Sequence, residues 1–275
     1  MKHIYFFLFI ILFLLASCSD KDTEISFRHY VYESFTTDSI VLELGELASN
    51  SPDDGTPISY VGYDIEFPVN AVNDDVLRRL QLNVINVICD GADLTAADPF
   101  AEMKRVFAGM TLTESDSCPV DPIDFGNGQN ITTHDFTVVR TITNADSLYT
   151  ICISSDYYAF GAAHGFYSLR YHSFNAMTGN ELTFDSLFVA GADTVFCNFM
   201  KTRIPVEYKE SYTEDFVFQN DPLVWIGSFY FMPDGIIFSF SPYVIGSYAD
   251  GQIDCLIPAS VVKPFLNKNW SHLFK

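Results

Sequence analysis

The chain has 275 residues, with 35 Asp and Glu against 15 Lys and Arg, giving a formal net charge of −20. Such a surface repels phosphate backbones and anionic headgroups, which excludes nucleic-acid binding and favours cationic partners. With 48% apolar residues, 26 Phe and 15 Tyr, the composition also excludes a disordered chain and favours sheets over a helical bundle.

The first element is a targeting segment. Lys2 and His3 precede an unbroken apolar run from Ile4 to Leu15, closed by Ala16, Ser17 and Cys18. Twelve apolar residues fall short of the roughly 20 that a spanning helix needs, so the run reads as a cleavable export signal. Leu15-Ala16-Ser17-Cys18 resembles the lipobox of bacterial lipoproteins. That resemblance implies removal of residues 1–17, diacylation of the Cys18 thiol and acylation of the new amino terminus. Several acyl chains anchor stably where one does not. The acidic tract Ser19-Asp20-Lys21-Asp22 resembles the surface-export signals of some Gram-negative lipoproteins. The expected location is therefore the outer membrane, periplasmic or surface-exposed, with membrane attachment through the lipid. Loss of Lys2 with the signal takes the net charge from −20 to −21.

After a polar tether, Phe27 to Leu44 reads as a strand, and Ser49 to Pro57 as a turn. Ile58 to Val69 alternates with period two, placing Val61, Tyr63, Ile65 and Phe67 on one face. Asn73-Asp74-Asp75 then supplies a cap and an acidic first turn. The following apolar residues Val76, Leu77, Leu80, Val84, Val87 and Ile88 have helical spacing up to Gly91. Pro99 to Met110 predicts a second helix. The stretch Thr113 to Asn130, with Pro119, Pro122, Gly126 and Gly128, is the best internal boundary.

Beyond it, His134 to Thr143, Leu148 to Ser155 and Phe166 to Phe174 read as strands. Leu182 to Val189 and Asp193 to Tyr208 read as helical. Trp225 to Phe231, Gly235 to Ser241 and Gln252 to Ile257 are strands, with Pro233-Asp234-Gly235 as a hairpin turn, and Val261 to Asn267 predicts a short helix. The order implies an α+β fold: two subdomains with antiparallel sheets and helices packed on one face. The expected division is a signal at 1–17, a tether and first strand at 18–55, an N-terminal subdomain at 56–130 and a C-terminal domain at 131–275.

Familiar catalytic spacings are missing. There is no G-x-S-x-G elbow, no H-E-x-x-H zinc motif and no H-x-x-x-H pair among His3, His29, His134, His164, His172 and His272. No cofactor and no metal is therefore expected. Besides Cys18, five cysteines remain: Cys89, Cys118, Cys152, Cys197 and Cys255. An odd number leaves at least one thiol unpaired, the pairing stays open, and no C-x-x-C spacing occurs. His164, in Tyr157-Tyr158-Ala159-Phe160-Gly161-Ala162-Ala163-His164-Gly165, has two readings. It is a general base or, with His172 and Asp156, a metal ligand; or it belongs to a tight glycine turn. The aromatics Tyr157, Tyr158, Phe160, Phe166, Tyr167 and Tyr171 either fill the core or stack on sugars or a protein partner.

The same segment carries a resemblance. It is similar to the "Y…GGAH" turn of the DUF3298 family. That family includes the ectodomain of lysozyme-sensing anti-sigma factors and a non-catalytic domain of peptidoglycan deacetylases. Two further blocks fit in order. Thr178-Gly179-Asn180-Glu181-Leu182-Thr183-Phe184-Asp185-Ser186-Leu187-Phe188 resembles the family's "TGKELTLDDLF". Pro233-Asp234-Gly235, Ser241-Pro242-Tyr243, Tyr248-Ala249-Asp250-Gly251 and Ile257-Pro258 resemble its "DG…PYEIAPYA-x-G…IP" block. Ala162 stands where the family commonly has glycine. The N-terminal part is more loosely similar to the companion domain, DUF4163, that usually precedes it. The resemblance implies recognition of an extracellular ligand without catalysis: a lysozyme-like basic protein or a peptidoglycan fragment. Tyr157, Tyr158, His164, Tyr243 and Tyr248 are the expected ligand-binding residues. With no sigma-binding segment and no spanning helix, the chain is not expected to be an anti-sigma factor itself. The alternative expectation is a cell-wall glycan-modifying enzyme that uses His164 with Asp156 or Asp250.

Overall fold

The computed structural model describes residues 25–35, 38–43, 57–109, 130–145, 147–159, 162–207 and 228–274. The export signal, Cys18, Cys118 and most of the proline- and glycine-rich stretch before Asn130 lie outside them.

Six strands form one sheet in the order β2-β1-β3-β4-β5-β6. They are β1 (Phe27–Phe35), β2 (Asp38–Glu43), β3 (Pro57–Pro68), β4 (Asn130–Ala145), β5 (Leu148–Ala159) and β6 (Phe166–Asn175). Between β3 and β4 the chain crosses over through helices α1 (Asp74–Cys89) and α2 (Pro99–Gly109). The Asn73 side chain caps α1 by accepting the Val76 N–H at 3.0 Å, which supplies the start signal the sequence carries. The expected inward face of β3, Val61, Tyr63, Ile65 and Phe67, is buried beneath these helices with Val139 of β4 and Tyr149, Ile151 and Ile153 of β5. Leu80, Val84, Ile85 and Ile88 of α1 meet it from above. Tyr63 stacks on Phe107 of α2 with ring centroids 4.3 Å apart.

The second sheet is smaller, in the order β7-β8-β9 (Phe229–Met232, Gly235–Phe240 and Ile253–Pro258). Helix α4 (Ala192–Glu207), preceded by the single turn α3 (Phe184–Leu187), buries Phe196, Met200 and Ile204 against Phe238, Cys255 and Ile257. A last turn, α5 (Ala259–Val262), and two 3-10 turns bring Leu266, Trp270 and Phe274 into the same core.

The α+β class and the helices on one face match the expectation, and four details differ. Phe27 to Leu44 forms two antiparallel strands rather than one. β3 and β4 run parallel, because two helices separate them where a hairpin would have made them antiparallel. The six-stranded sheet takes strands from both sides of the expected boundary at residue 130. β3 pairs directly with β4, so the change from one core to the other falls near residue 176. The helix expected from Leu182 to Val189 shrinks to α3, since Glu181 and Phe188 are drawn into bridges with Phe174 and Leu266. No helix among the described residues is long and apolar enough to cross a membrane.

The two sheets meet along the outer edge of β6. Bare strand edges invite pairing with other chains, and here the edge is occupied at four points. Leu169 N–H donates to the Ser241 hydroxyl at 3.0 Å, and Tyr171 N–H to the Ser228 hydroxyl at 3.0 Å. The Leu182 N–H donates to Ser173 O, and Asn175 N–H to Asn180 O. Cys152 lies beneath this seam against Tyr171, which stacks on Tyr230 at 4.3 Å.

Candidate functional site

Residues 162–165 lead into β6 from the turn that joins it to β5. Gly165 lets the chain pass close to β5 there, because a Cβ would sit 3.0 Å from Tyr157 O. Ala162, the departure from the family's glycine, takes no left-handed conformation, so its Cβ costs the turn nothing. His164 is exposed at the tip. Its Nδ1–H donates to Gly165 O at 2.7 Å, which leaves Nε2 to accept the Tyr243 O–H at 3.2 Å.

Tyr243 comes from the loop after β8. The Ser241 hydroxyl staples that loop to β6 through both the Leu169 N–H and Leu169 O. Tyr243 holds a left-handed φ of 68° and is 49% exposed. A bulky non-glycine residue in that region carries strain that the surroundings must support. Its N–H donates to Gly246 O at 3.0 Å. Directly after Gly246, Ser247 opens a short 3-10 turn, with its N–H and its hydroxyl both donating to Asp250 Oδ2. That cap presents Tyr248, whose ring lies 4.0 Å from His164 at 19°. Tyr167 of β6 meets the edge of Tyr248 at 5.9 Å. Gly251, at φ 69°, leaves room for the Tyr167 hydroxyl, which a Cβ on Gly251 would approach to 3.1 Å.

Three of the five expected binding residues, His164, Tyr243 and Tyr248, are thus in mutual contact. Tyr157 and Tyr158 stand at the end of β5 beside them, half-exposed and pointing to opposite faces. Tyr158 faces His134 across the β4–β5 ladder. His134 was not among the expected site residues, and only strand pairing places it there. The metal reading of His164 does not match the geometry. His172 lies further along β6, 2.8 Å from Glu181, and Asp156 sits 3.5 Å from His134. Among the described residues no three His, Cys, Asp or Glu side chains gather as metal ligands.

The second motif block has a structural task. Gly179, at φ 74°, lets its turn press onto α1, where a Cβ would lie 2.7 Å from Val76 O. Asn83 and Arg79 of α1 donate to Gly179 O and Thr178 O at 2.8 and 2.9 Å. The block therefore locks the segment after β6 onto the first core. Cys89, Cys152, Cys197 and Cys255 are thiols. Burial pushes the Cys89 thiol up to about 12, so it stays protonated near neutral pH.

The fold and this edge-mounted aromatic cluster define an α+β protein of two packed sheets. Residues 185–260 match the family model of DUF3298, described as a protein of unknown function. Two solved structures share the fold. A DUF3298 family member from Bacteroides fragilis NCTC 9343 aligns at TM-score 0.67 and 16% identity, covering 91% of this chain and 97% of that one. A DUF3298 family protein from Pseudomonas aeruginosa PAO1 aligns at TM-score 0.55 and 14% identity, covering 91% and 96%. No curated protein matches the sequence.

Proposed function

We propose that this chain is a non-catalytic, lipid-anchored envelope protein whose His164–Tyr243–Tyr248 face binds a lysozyme-like basic protein. The observation that carries the reading is Tyr243, a half-exposed aromatic residue held at a left-handed φ beside the exposed His164 ring and the partly buried Tyr248 ring. Rigid tyrosines bury large area at low entropy cost and serve as anchors in protein interfaces. The charge of −20 adds long-range attraction for a basic partner. A catalytic role for His164 has less support, because Asp156 is engaged by His134 and Asp250 by Ser247. The same exposed rings also suit the faces of sugars, so peptidoglycan glycan is the second reading.

Calorimetry of residues 19–275 against a C-type lysozyme, at low and at physiological salt, tests the proposal. One-to-one binding that survives salt and weakens at least tenfold in Tyr243→Ala is the expected result. Binding that vanishes with salt is charge attraction alone, and retention on peptidoglycan then selects the glycan reading. Mass analysis of the mature amino terminus for acyl chains on Cys18 tests the anchor.

A further inference from the structure

The outer edge of β6 is bonded at intervals, and one interval is left open. The N–H and C=O of one residue point to the same side of a strand, and those of its neighbour to the other. Leu169, Tyr171, Ser173 and Asn175 therefore direct both groups away from β5. The Tyr171 N–H donates to the Ser228 hydroxyl at 3.0 Å, and Ser173 O accepts the Leu182 N–H at 2.7 Å. Between these two bonds lie the Tyr171 carbonyl and the Ser173 N–H. Among the described residues no hydrogen bond reaches either group. Ser173 is 4% exposed, and a buried backbone N–H is rarely left unpaired.

The interval is open because the pairing of residues 180–182 with β6 is confined to a single bridge, Phe174 with Glu181. Thr183 then stands at the N-cap of α3, from which the chain leaves the edge. A cavity of about 220 Å³ lies there, with Tyr171, His172 and Ser173 on the β6 side and Leu182, Phe184 and Phe229 also lining it. Pockets for whole small molecules run to about 300–1,000 Å³, so this one admits a shorter fragment. His172 and Glu181 border it, with side chains 22% and 36% exposed. The His172 Nδ1–H donates to Glu181 Oε1 at 2.8 Å, which leaves Nε2 as an acceptor.

We infer that this gap takes one residue of an extended peptide, added to the edge of β6. The carbonyl before that residue accepts the Ser173 N–H, and the N–H after it donates to Tyr171 O. Those are the bonds an antiparallel neighbour makes on either side of a non-hydrogen-bonded pair. Tyr171 and Ser173 are two residues apart, so a lone amide cannot make both bonds. The captured residue lies opposite His172, with its side chain on the same face. There Nε2 accepts from a side-chain hydroxyl, while Phe184 and Phe229 supply apolar contact. The site is separate from the His164 face and stands whether or not that face binds a protein.

The test titrates N-acetyl-L-serine N-methylamide into the protein and follows the amide resonances by NMR. The corresponding methyl ester lacks the N–H for Tyr171 O, and the alanine amide lacks the hydroxyl for His172. Saturable shifts at Ser173 and Leu182 are expected, with slower hydrogen exchange at Ser173 and no change at Leu169. The ester and the alanine amide should each bind about fivefold more weakly, one hydrogen bond being lost in each. His172→Phe should abolish the preference for serine over alanine and leave the affinity for the alanine amide unchanged. The comparison of amide with ester uses the unaltered protein and needs no variant. Equal binding of amide and ester, no saturable shift at Ser173, or a serine preference that survives in His172→Phe overturns the inference.

Discussion

Single residues hold the fold at points where no other side chain fits. Gly235 turns the β7–β8 hairpin at φ 158°, and a Cβ there would lie 2.1 Å from Ile257 O. Gly91 ends α1 at φ 75° with open space around it. Alanine at Gly235 is therefore expected to lower unfolding free energy by about 2–4 kcal/mol, and at Gly91 by only about 1 kcal/mol; urea titration of both variants separates clash from backbone strain. Asp64 offers a pH probe. Burial raises its carboxyl, but hydrogen bonds and charge from Arg140, with a contribution from His29, outweigh this and hold it below the usual carboxylate value. Arg140 reaches both carboxylate oxygens, at 3.1 and 2.5 Å. A lowered folded value contributes stability that is complete above the unfolded carboxylate pKa and disappears as pH falls through the folded one. Arg140→Met should accordingly destabilise the protein at pH 7, and the difference should shrink as pH falls below the ordinary carboxylate range, as read from melting temperatures across the range.

At the scale of elements, the β6 edge joins the two cores by side-chain hydroxyls. Ser241→Ala removes the acceptor for the Leu169 N–H and loosens the loop that carries Tyr243. Roughly tenfold lower hydrogen-exchange protection at Leu169, with the α1 amides unchanged, is the expected outcome. The helices were legible in the sequence because each carries its own local signals: Asn73 and the acidic first turn begin α1, and Pro99 begins α2. The strands were legible for the same reason, since Ile58 to Val69 alternates on its own. Their partners were not. The parallel pairing of β3 with β4, and the placing of His134 opposite Tyr158, depend on how a long crossover folds back, which no local pattern records. The site was half legible: the motif blocks named His164, Tyr243 and Tyr248, but the contact among them arises from the Ser241 staple.

At the scale of the whole molecule, the aromatic face stands at one end of the six-stranded sheet, where His134 of β4 lies opposite Tyr158 of β5. The net charge of −20 sets the long-range field around it. The DUF3298 match falls wholly within the second core and its sheet, while the aromatic face also uses residues 157–167 from the first sheet. The aromatic face is therefore shared between the matched segment and the strand pair that precedes it.

The parallel pairing of β3 and β4 also sets an order of events in time. Strands β1 to β3 and the two crossover helices cannot close their core until β4 arrives, because Val139, Tyr149, Ile151 and Ile153 supply its other wall. β6 in turn has a bare edge until Ser228 and Ser241 reach it. A chain delivered amino end first thus stays open and threadable through its first half and settles only as its second half emerges. Such late commitment suits passage through a narrow pore, since contacts between distant parts of a chain form slowly and give the leading segment little reason to fold early.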